Sequence, residues 1–233
     1  MYRGRTVSVV MPAYNEEEYV STAVRGFLDT GVADEVVVAD NNSNDGTADE
    51  ALKAGAKVVK EVKQGYGHAC QRALREGGGD YIILTEPDGT FDPNDITKLL
   101  EKAADYDLVL GTRTNKAFIH EGANMGWLIR YGNIFIAKLM QHLYNGPELT
   151  DVGCTYRLIR KDALKKIEDK FTVGGSHFSP EMMMLAIRNG LKTVEIPVNY
   201  RPRTGTSKIT GETGKALKLG LVMIKLVITN RFM

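Results

Sequence analysis

Cysteine is nearly missing from this chain: Cys70 and Cys154 are the only two in 233 residues, 84 positions apart. A disulfide framework or a thiolate zinc site needs more sulfur at closer spacing, so both are poorly supported and a reducing, intracellular setting is expected. The stretch after the first strand-like run, Pro12-Ala13-Tyr14-Asn15-Glu16, has no glycine. A Gly-x-Gly-x-x-Gly dinucleotide turn is therefore absent, which argues against a classical dehydrogenase. Long apolar runs are lacking too. The longest near the C-terminus, Leu219 to Ile224, stops at Lys225, far short of the roughly 20 residues that span a bilayer. Met1-Tyr2-Arg3-Gly4-Arg5 leads directly into Val7-Ser8-Val9-Val10-Met11 without the apolar segment of an export signal. Neither export nor a transmembrane helix is expected.

Charge of one sign is scarce in sum but not in place. The net charge is +1, yet residues 201–233 hold seven Lys/Arg against one acid, leaving 23 bases and 28 acids in residues 1–200. A tail near +6 on a body near −5 suits an anionic acceptor or a membrane surface. Nucleic-acid binding, which calls for a basic footprint over the whole domain, is not expected.

What is present begins with Tyr81-Ile82-Ile83-Leu84-Thr85-Glu86-Pro87-Asp88-Gly89-Thr90. An apolar, β-branched run reads as a buried strand, and here it ends in two carboxylates separated by one proline. Residues two apart in an extended chain face the same way, so Glu86 and Asp88 can face one ligand. Adjacent carboxylates repel and are best tolerated by a hard divalent cation such as Mg2+ or Mn2+, or by a shared proton. A solvated acidic turn is the plain alternative.

Strand-like segments at Val7–Met11, Glu35–Ala39, Tyr81–Leu84, Leu108–Leu110 and Thr193–Val198 alternate with helical stretches. Such alternation predicts βαβ units, an α/β class and a mainly parallel sheet flanked by helices. Helices are expected from Asn15 to about Asp29, from Asp45-Gly46-Thr47 onward, over Ala69–Arg75, Trp127–Tyr144 and Glu181–Asn189, and again toward the C-terminus. With no internal repeat or linker, a single structural domain is expected. Its catalytic part would be residues 1–199, and residues 200–233 would add a lid loop and an amphipathic helix.

Every unusual polar cluster falls at the carboxyl end of an expected strand, where parallel α/β sheets bind ligands. Asp40-Asn41-Asn42-Ser43-Asn44-Asp45-Gly46-Thr47 is not an EF-hand, because its glycine stands at the seventh position and Ala51 replaces the bidentate Glu. Gln64-Gly65-Tyr66-Gly67-His68 precedes a helix and would let backbone N–H groups approach an anion; His68 itself reads better as a cap or surface residue than as a catalyst.

Taken in order, Pro12-Ala13-Tyr14-Asn15-Glu16-Glu17, the Asp40–Thr47 run, Glu86-Pro87-Asp88, Gly111-Thr112-Arg113 and Asp151-Val152-Gly153-Cys154-Thr155-Tyr156-Arg157 resemble glycosyltransferase family 2. The likeness is greatest to the branch of dolichyl-phosphate mannose synthase and polyprenyl-phosphate glycosyltransferases. It implies a GT-A nucleotide-diphospho-sugar transferase fold and inverting transfer of a hexose from a UDP- or GDP-sugar. By matched position, Pro12, Tyr14 and Glu16 would hold base and ribose and Asp40 would contact the base, with Gln64 in the same nucleotide site. Asp88 and Glu86 would take the metal places of an Asp-x-Asp motif. Glu86 replaces the usual first Asp, and Asn41 stands where a second Asp often follows Asp40.

The acceptor is open between two chemistries. A hydroxyl needs a general base, for which Asp151 is the best carboxylate; a phosphate monoester is already anionic and needs cations instead. The resemblance implies that Arg113 and Arg130 grip a polyprenyl or dolichyl phosphate, and that Arg203, Ser207 and Lys208 belong to a mobile lid. Lys215, Lys218 and Lys225 fall within about 80° of arc on a helix, either an interfacial helix on anionic lipid at the cytoplasmic membrane face or a terminal helix packed on the body. Two other readings remain: a sugar-1-phosphate nucleotidylyltransferase, whose Gly-rich basic signature is absent, and a non-catalytic sugar-nucleotide binding module.

Overall fold

In the computed structural model, residues 1–123, 125–203 and 213–231 are described. Fifteen elements follow in chain order: β1 (Val7–Ala13), α1 (Glu17–Leu28), β2 (Glu35–Asp40), α2 (Thr47–Lys53), β3 (Lys57–Lys60), α3 (Tyr66–Glu76), β4 (Tyr81–Leu84), α4 (Ile96–Lys102), β5 (Leu108–Thr112), α5 (Trp127–Tyr144), β6 (Arg157–Arg160), α6 (Lys161–Leu164), α7 (Phe178–Arg188), β7 (Thr193–Pro197) and α8 (Thr213–Thr229). The strands form one sheet in the order β3-β2-β1-β4-β6-β5-β7. All pairings are parallel except those of β6, which runs antiparallel to both β4 and β5.

Period-two alternation divides the core. Val10, Val37, Leu84, Leu108 and Leu110 face one side, under α3, α5, α7 and α8. Val9, Val36, Val38, Ile83 and Val109 face the other, under α1 and α4. Both faces of the sheet are thus covered, as a parallel sheet requires, and all seven residues of β1 are buried. Helix α8 joins the first cluster through Met223 and Val227 and leaves Leu217 and Leu221 exposed.

Two strands have no clear signature in the sequence. β3 reads Lys-Val-Val-Lys and sits half exposed at the sheet edge, where flanking charge discourages edge-to-edge pairing. β6 reads Arg-Leu-Ile-Arg, and its bracketing arginines hide a buried centre. The expected helix at Ala69–Arg75 begins earlier, at Tyr66, and that at Glu181 begins at Phe178.

The chain leaves β1 for β2 on one side, while β4 pairs with β1 on the other. This reversal opens a crevice beyond the carboxyl ends of β1 and β4, the geometry in which open α/β sheets place ligands.

Candidate active site

The crevice holds a cavity of about 190 Å3 whose wall includes Pro12, Tyr14 and Glu16 after β1, Asn41 and Gln64 beside β2, and Glu86 and Asp88 after β4. The loops that build it are tied side chain to backbone. Ser43 Oγ accepts from Asn15 N at 3.0 Å, Asn15 Oδ1 from Asn44 N at 2.9 Å, and Thr47 Oγ1 from Glu16 N at 2.8 Å. Much of the polar run Asp40–Thr47 therefore fastens the first loop to the second. Asp40 accepts from Ser43 N at 3.3 Å, and it is Asn41 that reaches the cavity wall.

Asn41 also explains why an amide stands there. Its Nδ2 donates to Glu61 O at 3.0 Å and Lys63 O at 2.8 Å, while its Oδ1 accepts from Gly65 N at 2.8 Å and Gln64 Nε2 at 3.3 Å. A carboxylate cannot donate to two carbonyls. The departure from a paired Asp thus fits a clamp on the loop that carries Gln64.

The N-terminus of α3 corrects one expectation. Gly67 N donates to Gly174 O at 2.9 Å, so these backbone groups hold a neighbouring loop and are not turned to an anion. A Cβ on Gly67 would lie 2.2 Å from Val173 O, which is why the close approach demands glycine. The His68 imidazole lies against the same loop, since a Cβ on Gly174 would meet its Nε2 at 2.1 Å.

Asp88 is 2% exposed; its Oδ1 accepts from Thr90 N at 3.0 Å and Thr90 Oγ1 at 2.6 Å. Its Oδ2 lies 3.3 Å from Arg203 Nη1, and Arg203 Nη2 reaches Glu16 Oε1 at 3.1 Å. Glu86 accepts from the Tyr66 hydroxyl at 2.9 Å. Burial, and then the charge of Asp88, push Glu86 up to about 7, against the pull of Tyr66, Arg203 and Arg113. Tyr66 is a contributor that sequence reasoning missed; its place at the first turn of the helix after Gln64-Gly65 was the available signal.

Among the described residues no group of three or more His, Cys, Asp or Glu could hold a metal alone. Two carboxylates in one cavity nonetheless suit Mg2+ or Mn2+, which commonly take one or two protein carboxylates and complete their shell with phosphate oxygens and water. The Arg203 guanidinium already places positive charge at Asp88 Oδ2, so the position accepts a cation.

A second group lies next to the cavity. Asp151, 1% exposed, accepts from Arg113 Nε at 2.9 Å, Arg113 Nη2 at 3.0 Å, Arg113 N at 2.9 Å and Gly153 N at 3.0 Å. Burial alone would raise its carboxyl, but Arg113 and these N–H groups outweigh that and hold it below the usual range. A base needs an available lone pair and a proton affinity near the working pH; Asp151 offers neither in this geometry, which weighs toward the cationic of the two acceptor chemistries. The Tyr200 ring, missed in the sequence, lies 5.2 Å from the Arg113 guanidinium carbon. Arg130, in the first turn of α5, donates to Thr114 O at 2.7 Å, one residue beyond Arg113. Ser207 and Lys208 lie outside the described residues.

The family profile "Glycosyl transferase family 2" matches residues 8–168. The chain is 32% identical over 199 residues to Glycosyltransferase AglJ of Haloferax volcanii, covering 84% of this chain and 63% of that protein. It is 30% identical over 228 residues to the Dolichyl-phosphate hexose transferase of the same organism, covering 97% and 95%. It spans half the length of another relative, the hexosyltransferase Agl6. Among solved structures, glucosyl-3-phosphoglycerate synthase from Mycobacterium tuberculosis, in complex with Mn2+, uridine diphosphate and phosphoglyceric acid, superposes with a TM-score of 0.75 at 20% identity over 98% of this chain and 78% of that one.

Proposed function

The chain belongs to glycosyltransferase family 2 and has the GT-A fold, and from that premise we propose that it transfers a hexose from a nucleoside-diphosphate sugar to a polyprenyl or dolichyl phosphate. The observation that carries the acceptor choice is the Arg113–Asp151 pair. With Asp151 saturated by Arg113 and backbone N–H groups, the adjoining rim offers a fixed cation and not a base. That suits an acceptor that is already an anion. The relative named as a dolichyl-phosphate hexose transferase, similar along nearly the whole chain, supports the same choice.

In this reading Pro12, Tyr14, Glu16 and Gln64 receive the nucleoside, Asp40 holds the loop behind them through Ser43 N, and Glu86 and Asp88 would hold a divalent cation. The cation, Mg2+ or Mn2+, would supply charge stabilisation to the departing diphosphate. Arg113 and Arg130 orient the acceptor phosphate so that one of its oxygens meets the anomeric carbon opposite the leaving group. The new C–O bond forms as the bond to the β-phosphate oxygen breaks, and the electron pair leaves with the nucleoside diphosphate. No proton has to be removed from the acceptor. Arg203, which spans Glu16 and Asp88, holds its guanidinium where a donor diphosphate would arrive.

The acceptor's lipid tail fits an exposed apolar strip. Trp127, Tyr131 and Phe135 recur every four residues on α5 and are 75%, 58% and 60% exposed, and Leu217 and Leu221 are exposed on α8, which packs beside α5. Aromatic residues with exposed Lys215, Lys218 and Lys225 fit contact with an anionic cytoplasmic membrane face. Among the described residues no helix is long and apolar enough to cross a membrane.

The test is transfer of labelled sugar from a panel of UDP- and GDP-sugars, with Mg2+ or Mn2+, to supplied polyprenyl phosphate. Metal-dependent label in the organic phase is expected. Label that stays aqueous with every donor overturns the lipid-phosphate acceptor.

A further inference from the structure

Behind Arg113, away from the cavity, lies a network that the reaction outlined above does not use. Glu195 sits on β7, paired in register with Leu110 of β5. Its carboxylate accepts from Thr150 N at 2.8 Å, from Asp151 N at 3.1 Å and from the Thr150 hydroxyl. The next side chain along, Asp151, holds Arg113 through three hydrogen bonds. The Thr150 hydroxyl is also 3.0 Å from Thr112 Oγ1 and 2.7 Å from Thr114 Oγ1, the residues on either side of Arg113. Two routes therefore run from Glu195 to Arg113, one through the Asp151 backbone and one through three hydroxyls.

The proton directions agree. An ionised carboxylate only accepts, so the Thr150 hydroxyl spends its proton on Glu195 and keeps its lone pairs for Thr112 and Thr114. The segment between α5 and β6 has no strand pairing of its own, and Glu195 fixes its backbone where Asp151 departs. Burial raises the Glu195 carboxyl while the Thr150 and Asp151 donors pull it down, and among the described residues it has no ion-pair partner. A half-buried carboxylate without a cation is a poor device for stability alone, but it is a rigid one for orientation.

We propose that Glu195 is a positioning residue for the acceptor phosphate: it fixes Thr150 and Asp151, and through them sets the orientation of Arg113. This rests on the lipid-phosphate reading for its kinetic consequence, though not for its structural one. Glutamine at 195 keeps one accepting oxygen but sets an NH2 group against backbone donors, and aspartate keeps the carboxylate on a shorter arm.

The experiment compares the wild type with Glu195→Ala, Glu195→Gln and Glu195→Asp. The KM for polyprenyl phosphate is expected to rise about tenfold in Glu195→Ala, the scale expected of small misplacements in a site. The KM for the nucleotide sugar and the calorimetric affinity for Mn2+ should stay within twofold, and Glu195→Asp should recover part of the loss. An unchanged acceptor KM, or equal losses on donor and acceptor, overturns the proposal. Should Glu195→Ala fail to fold, Thr150→Val carries the same test with a smaller rise, about threefold. A second readout separates this inference from the acceptor assignment: the Arg113 Nε–H, held by Asp151, gives an NMR resonance whose protection from solvent exchange should be lost in Glu195→Ala. Retained protection overturns the positioning role whatever the acceptor proves to be. Lost protection in a protein whose wild type glycosylates no lipid phosphate upholds it and discards only the acceptor.

Discussion

The cavity beyond β1 and β4 and the Arg113–Asp151 rim beside it are neighbours with opposite electrostatic states. In the cavity, Glu16, Glu86 and Asp88 crowd together, and Glu86 is pushed up to about 7 by burial and by Asp88. On the rim, Asp151 is fully engaged, Arg113 is 13% exposed at its side chain, and Glu195 is tied to backbone donors. One region sets three carboxylates around the Arg203 guanidinium; the other is satisfied before any ligand arrives. The contrast separates two ways of serving an anionic reaction. A site that takes its cation from solution can tolerate repulsion without it, whereas a site that supplies its own cation must fix it in advance.

The largest effect should come from removing the carboxylate least replaceable on the donor side. Asp88→Asn is expected to lower transfer by at least about a thousandfold, with an unchanged circular dichroism spectrum; initial rates at saturating Mn2+ check it, and wild-type activity would contradict the donor-site assignment. On the rim, Arg113→Met leaves a buried carboxylate without its partner and should cost about 3–5 kcal/mol in chemical denaturation. The double variant Arg113→Met, Asp151→Leu should recover much of that stability but none of the transfer.

Asn41→Asp probes the clamp between the two cavity walls. Two carbonyls would lose their donors and face a charge, at a cost of about 2–3 kcal/mol, measurable as a lower urea midpoint, with a raised KM for the nucleotide sugar. The last effect concerns pH. Glu86 titrates near 7 when folded against an ordinary value of 4.5, so the folded state binds more protons between these values. Stability of the metal-free protein should therefore fall as pH rises from about 4.5 to 7 and level off above. Glu86→Gln should abolish that slope and raise the melting temperature at pH 8, while weakening Mn2+ binding in calorimetry.

How far the sequence could be read divides along the same line. The parallel strands β1, β2 and β4 carry long β-branched runs, and each ends in a polar cluster, so the crevice and its polar lining were readable from pattern alone. Glu86 and Asp88 both line the cavity, although β4 ends at Leu84 and the chain bends at Pro87-Asp88-Gly89, so the alternation of an extended chain gave the right neighbours without the right local geometry. The rim was harder. The Asp151 run and Gly111-Thr112-Arg113 stood out as motifs, but that Arg113 neutralises Asp151 follows from β6 entering the sheet backwards, and Arg-Leu-Ile-Arg gives no periodic signal. Glu195 looked like one residue of a late strand. Its role depends on β7 lying beside β5, a pairing that no local pattern encodes. The anion cradle expected at Gly65–His68 failed for a related reason: the loop at Gly174 that takes those N–H groups lies more than a hundred residues away along the chain.

The reversed strand β6 also governs the order in which the molecule can be assembled. β1 to β4 are bonded to one another without help from later sequence, so this half of the sheet is complete once the chain has passed Leu84. β5 is made next, yet its neighbours in the sheet are β6 and β7, so it waits for strands not yet synthesised. Such non-local pairing is slow to form. During synthesis the crevice beyond β1 and β4 is therefore framed first, and the arginine rim closes onto a partner that is already in place.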